Sequence, residues 1–263
     1  MFKITINSTA LYVIAFLVTT ILHESFHSLF GVLFDSYPVL HHNYVEHLNE
    51  EALTTSQQTI IALAGPFMSL VQGIIAAIIF FKLGKSDLFR LFIAWTSVLG
   101  FNNFLGYVIT GPLFKVGDIG RVYYLLDNPL YLQITFALLA AVVLVKFTLM
   151  MSKPFLGFAT RREWIADGQS RKLFLFHIII LPWIFGSLIM TVLYLPIIAI
   201  ISIIYPVMSG FVFIGPWQYG YKITDVDPSE SREIEKLSFK YISVLILIAM
   251  IFKFVLQPGI KFM

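Results

Sequence analysis

Two histidines and a glutamate interrupt the apolar stretch Ile21–Phe30, ILHESFHSLF, as His23, Glu24 and His27. Their order fits the pattern H-E-x-x-H. On a helix, side chains four residues apart share a face, so the two imidazoles can bind one metal ion. Glu24, one residue beyond His23, can then lie beside a metal-bound water and take its proton. The competing reading is a pair of helix histidines hydrogen-bonded to neighbouring helices, with Glu24 protonated or paired. An ionisable group at mid-helix in a bilayer costs about 2.5–3.5 kcal/mol on insertion scales and marks a functional position by default.

A catalytic zinc usually takes three protein ligands and leaves one position for water. The chain has no cysteine, so no disulfide or thiolate metal site can form, and His, Asp and Glu are the strong ligands that remain. Two candidates lie at a compatible depth. One is Asp118 in GPLFKVGDIGRV, where Gly111, Gly117 and Gly120 permit close turns; it reads equally as the N-terminal cap of a short helix IGRVYYLL. The other is the cluster HHNYVEH, with His41, His42, Glu46 and His47. Its plain reading is a solvated polar loop, and its sharper one is metal delivery or gating. Glu163, Asp167 and His177 fall at the opposite end of the spans.

These residues must be positioned by helices in a membrane. The chain has 263 residues, 58% hydrophobic and 13% charged, with a mean hydropathy of +0.85. A soluble domain is roughly half apolar and a quarter charged, so the composition points to a multi-pass integral membrane protein built as one all-α bundle. Runs long enough to cross a bilayer cover Leu11–Phe34, Thr59–Phe81, Leu88–Thr110, Leu130–Met151 and Tyr241–Leu256. A longer block, Leu173–Ile214, contains Pro182, Pro196 and Pro206 and is long enough for two crossings with a break near Tyr194–Pro196. The expectation is six to seven transmembrane helices. The first is read as a retained helix and not a cleaved signal.

Basic residues set the orientation. Lys3, Lys82, Lys85, Arg90, Lys153, Arg161, Arg162, Arg171, Lys172, Lys222, Arg232, Lys236 and Lys240 gather at one end, while the segment Asp35–Ser56 has no Lys or Arg. That bias predicts a cytoplasmic N-terminus, with the segment 35–56 on the other side. His23 and His27 then lie roughly 18–24 Å along the first span from Leu11, in the outer half of the bilayer. The net charge of +3 needs no nucleic-acid partner, because membrane proteins collect basic residues in cytoplasmic loops.

Three stretches taken in order resemble the site-2 protease family of intramembrane zinc metalloproteases. The first is His23–His27. The second is ALAGPFMSLVQG, where Ala64, Gly65 and Pro66 match an A-G-P-x-x-N motif but Ser69 stands where asparagine is expected. The third is FNNFLGYVITGPLFKVGDIGRV, where Asn102 and Pro112 precede Asp118, and Gly120 and Arg121 complete a D-x-G-R. The resemblance covers about residues 10–127. It divides the chain into a metalloprotease-like core, 1–129, and further transmembrane helices, 130–263, of unassigned role. It implies zinc held by His23, His27 and Asp118, Glu24 as general base, and Asn102 (or Asn103, an equally good alignment) as an oxyanion or substrate contact. The substrate it implies is a membrane protein or peptide in the lipid bilayer. It also implies a metal toward the cytoplasmic face, opposite to the side the charges indicate.

Two rival functions share these residues. A zinc hydrolase of a lipid or acyl amide would use the same water attack. A non-catalytic metal-binding protein or transporter needs the ligands but not Glu24, and a transporter needs further ionisable residues at depth, where Lys146 and His177 are nearly the only others.

Overall fold

The computed structural model describes residues 1–84, 86–196 and 201–262. Lys85, counted above among the basic residues, and residues 197–200 of the proline-containing block lie outside the described residues. The chain is an all-α bundle with six helices, among the described residues, long and apolar enough to cross a membrane.

Helix α1 (Phe2–Leu33) is the most enclosed of them. It starts well before Leu11, where the apolar run predicts, because the polar residues of its first turns are bonded inside the protein. Asn7 donates from Nδ2 to the Ile234 and Lys236 carbonyls and accepts at Oδ1 from the Ser238 amide. Ser8 donates to Ile178 O at 2.7 Å and accepts from the Trp95 indole at 3.0 Å. Hydropathy scores such residues as if they faced solvent, but partnered polar groups are tolerated in a helix core. His177 takes an ordinary structural role here, with Nδ1 2.9 Å from Thr5 Oγ1.

Around α1 lie α2 (Thr55–Lys82) and α3 (Leu88–Thr110), which also pack on each other. Thr54 caps α2 through a reciprocal pair with Gln57, and the Asp87 carboxylate caps α3 at the Arg90 amide, 2.8 Å away. The short α4 (Asp118–Leu125) rests on α2 and α3, and α5 (Leu130–Met150) packs on α3 through Leu105, Ala140 and Leu144. Helix α6 (Ser152–Leu156) and the 157–167 segment lead into α7 (Gly168–Leu175), which runs through a π-turn at Phe176–Ile180 into α8 (Leu181–Leu193). The core is tied together by Trp95, whose ring meets Tyr12, Phe155 and Phe213 at centroid distances of 5.0, 5.0 and 5.5 Å.

The block Leu173–Ile214, long enough for two crossings, supplies one span among the described residues. Gly168–Leu193 is continuous, and the described residues after Pro196 form only short pieces: α9 (Ile201–Met208), a 3-10 turn at Phe211–Phe213 and α10 (Ile214–Tyr219). Pro206, Gly210 and Pro216 remove amide donors or loosen the backbone too often for a long helix. Helix α11 (Phe239–Met250), extended by a π-turn to Leu256, is the last span.

The segment after α1 is not a solvated loop. Strands β1 (Pro38–Leu40) and β2 (Val45–His47) form a hairpin, and β3 (Ile260–Lys261) adds to the other edge of β1. The C-terminal residues thereby fasten the hairpin over the end of the bundle that carries His23 and His27.

Candidate metal centre

His23 and His27 are buried on one face of α1, with their Nε2 atoms 3.1 Å apart. Asp118, the first residue of α4, brings Oδ2 to 2.9 Å from His23 Nε2 and 3.4 Å from His27 Nε2. Donor atoms bound to tetrahedral zinc at about 2.0–2.1 Å would lie roughly 3.3 Å from one another. The observed spacings are close to that value, and these three residues are the one group of metal-ligating side chains among the described residues.

The chemistry of the donors fits a metal as well as their spacing does. His27 Nδ1 lies 2.6 Å from the Ile61 carbonyl, which can only accept, so Nδ1 carries the proton and Nε2 presents its lone pair. His23 Nδ1 lies 3.2 Å from Ser69 Oγ, and that hydroxyl donates to Gly65 O at 3.2 Å, so it accepts from His23 Nδ1–H. Both imidazoles are held in the tautomer that a metal ligand needs, by partners on α2. Two imidazole nitrogens and a carboxylate then converge, a donor set that could hold a metal ion.

Helix α2 approaches so closely because residue 65 is glycine. A Cβ there would lie 2.3 Å from His27 Nε2 and 2.8 Å from His23 Cδ2. On the other side of His23 the Tyr107 ring stacks nearly parallel, at 5.3 Å and 14°.

Asp118 does not act as a helix cap. The cap residue of α4 is Gly117, and no side chain bonds the free amides there. Two features seat Asp118 at the histidines. Gly120 lets α4 press on the preceding loop, since a Cβ there would stand 1.9 Å from Phe114 O. Arg121, one turn along α4, is ion-paired to Glu50 and donates to Gln58 Oε1 at 3.1 Å.

Glu24 is buried, and its carboxylate has no hydrogen bond among the described residues. It lines the same cavity of about 490 Å³ as His23, His27 and Asp118. Asn102 and Asn103 also line it, and both use their amides to hold one segment: Asn102 Nδ2 donates to Ser209 O at 2.8 Å and Asn103 Nδ2 to the Tyr205 hydroxyl at 3.0 Å. Each keeps a second N–H.

The loop histidines are engaged elsewhere. His41 stacks on Tyr44 at 4.3 Å and donates to Gln257 O at 3.2 Å. His42, expected in a solvated loop, is 1% exposed and packs edge-on against Phe252. His47 pairs through Nδ1 with Ser36 Oγ at 2.7 Å and lines the cavity mouth with Glu50 and Arg121. Composition marks a histidine-rich segment as polar, but the hairpin folds these rings onto the helix ends.

Ile61, Tyr107, Glu50 and Gln58 also belong to the site, and nothing in the sequence marks them for it. Ser69 is marked, as the residue that stands where the A-G-P-x-x-N motif carries asparagine. No protein-family model matches the chain, and comparison with curated proteins and with solved structures gives no match.

Proposed function

We propose that this protein is an intramembrane zinc metallopeptidase, hydrolysing peptide bonds of membrane-embedded substrates. The observation that carries the reading is the convergence of His23 Nε2, His27 Nε2 and Asp118 Oδ2 beside the unpaired carboxylate of Glu24, in one cavity among apolar helices. His23, His27 and Asp118 would hold the metal, which when bound would supply Lewis acidity toward the scissile carbonyl and acidify the attacking water. Glu24 accepts a proton from that water and delivers it to the leaving amine nitrogen as the C–N bond breaks. The free amide hydrogens of Asn102 or Asn103 are available to the carbonyl oxygen or to the substrate backbone.

A helical substrate shields its amides in its own hydrogen bonds, so the cleaved segment must be extended. Strand β2 supports that requirement. It pairs with β1 on one edge only among the described residues, and Tyr44, Val45 and His47 line the cavity. Its remaining edge offers backbone donors and acceptors to an extended chain.

A metal-binding protein without activity would have the same three ligands, but it would have no use for a buried carboxylate with no partner beside them. The experiment is cleavage of membrane-anchored reporter peptides by the purified protein in liposomes. Turnover that disappears in Glu24→Gln while bound zinc is retained supports the reading. Equal turnover in Glu24→Gln removes Glu24 as the base. Zinc bound without any peptide cleavage, but with hydrolysis of acyl amides, would favour the lipid-directed alternative.

A further inference from the structure

The cavity has two chemically different ends. Toward the hairpin it is rimmed by Glu50, Gln58 and Arg121. In the other direction it passes the metal-ligating residues and continues deeper between helices, because Thr20 lies one turn before Glu24 on α1, and Asn103 one turn before Tyr107 on α3. That deep end is walled by Leu144 of α5, by Tyr205 and by Met208 and Val212 of the segment that follows. Leu144 and Val212 also touch each other's cluster around Leu105, so the apolar wall is continuous from α3 to α5.

We propose that this deep end is a subsite for one large apolar side chain of the substrate, next to the bond that is cut. The inference rests on the peptidase reading and adds the specificity the fold builds into it. The subsite opens on the same cavity as Glu24 and the three ligands, so a group entering it is attached to atoms at the reaction centre. The polar atoms beside it argue for a peptide over an acyl chain. Asn102 and Asn103 line the same cavity as the apolar wall, each with a second N–H beyond the one given to Ser209 O or to the Tyr205 hydroxyl. A peptide backbone satisfies them while its side chain fills the pocket, whereas an alkyl chain leaves them unpaired. Leu144 and Val212 are therefore specificity-determining residues.

Small hydroxamates test this on the zinc-loaded protein in detergent, because the hydroxamate chelates the metal and the attached group samples the subsite. Acetohydroxamate reports the metal alone. N-acetyl-leucine hydroxamate should bind about 10- to 100-fold more tightly than its glycine counterpart, from burial of one aliphatic side chain. Filling the pocket by Val212→Trp, or independently by Leu144→Phe, should erase the preference and leave acetohydroxamate binding unchanged. Partition into detergent micelles is the same for every variant, so the loss is specific to the pocket. Equal binding of the leucine and glycine compounds, or a preference that survives both filling variants, overturns the subsite. If octanohydroxamate binds more tightly than the leucine compound and both variants abolish the gain, the pocket takes acyl chains and the proposal fails. Absence of acetohydroxamate binding overturns the metal reading itself, and the subsite with it.

Discussion

Gly65 and His27 are in contact so close that the smallest side chain at residue 65 would place its Cβ 2.3 Å from His27 Nε2. His27 Nε2 and the backbone of the next helix therefore occupy neighbouring space with none to spare. Gly65→Ala should drive the His27 ring off its position and remove bound metal while the helix content stays unchanged. Metal analysis and circular dichroism on the same sample check it. A variant with normal zinc would mean that the rings sit elsewhere when metal is bound.

Ser69 fixes the tautomer of His23 through the 3.2 Å contact to Nδ1. Removing such an outer partner typically weakens a metal site about 10- to 100-fold. Ser69→Ala should fall in that range in a zinc competition titration. Ser69→Asn, which restores the residue the resembled motif carries, should lose less, because the amide oxygen also accepts from Nδ1–H.

Arg121 and Glu50 link α4, which carries Asp118, to the segment after the hairpin. The pair is partly exposed, so its direct contribution is small. Glu50→Arg or Arg121→Glu alone should lower zinc affinity about two- to five-fold, and the double exchange should recover it. Recovery measured by titration separates an ion pair from two unrelated surface charges.

The hairpin has a pH dependence of defined sign. Burial is the main cause that lowers His42 to about 4, with Lys253 adding to it, and burial likewise lowers His47 to about 4. In the unfolded chain both titrate near the ordinary histidine value of about 6.5. Between about 6.5 and 4 the unfolded state binds more protons than the folded one, so the contribution of these neutral rings is fully present above that window. It is lost as pH falls through the window. Hydrogen exchange across residues 37–48 should therefore speed up between pH 6.5 and 4 beyond its intrinsic pH dependence, and His42→Phe should blunt the effect.

Much of the centre was legible because its ligands are residues that an apolar helix does not otherwise carry. His23, Glu24 and His27 declare themselves by type and spacing, whereas Asp118 reads equally as a helix cap and is singled out only by the family resemblance. What supports them was hidden. Ile61 and Tyr107 are ordinary residues of apolar helices, and their roles depend on which faces of α2 and α3 meet α1, which neither hydropathy nor spacing specifies. Helix α1 extends well before its apolar run because Asn7 and Ser8 find partners some 170 to 230 positions away. The histidine-rich segment misled in the other direction: its pairing with Ile260 and Lys261 involves strands of two and three residues, too short to leave a periodic signal.

The most direct test of the central claim is the zinc content of the purified protein, counted per chain by mass spectrometry of metals across four variants. Wild type and Glu24→Gln should each hold about one zinc, as expected of a site whose three protein ligands exclude the base. His23→Ala, His27→Ala and Asp118→Ala should fall toward background. A wild-type protein without zinc, or an Asp118→Ala variant that binds it as well as wild type does, would contradict the account.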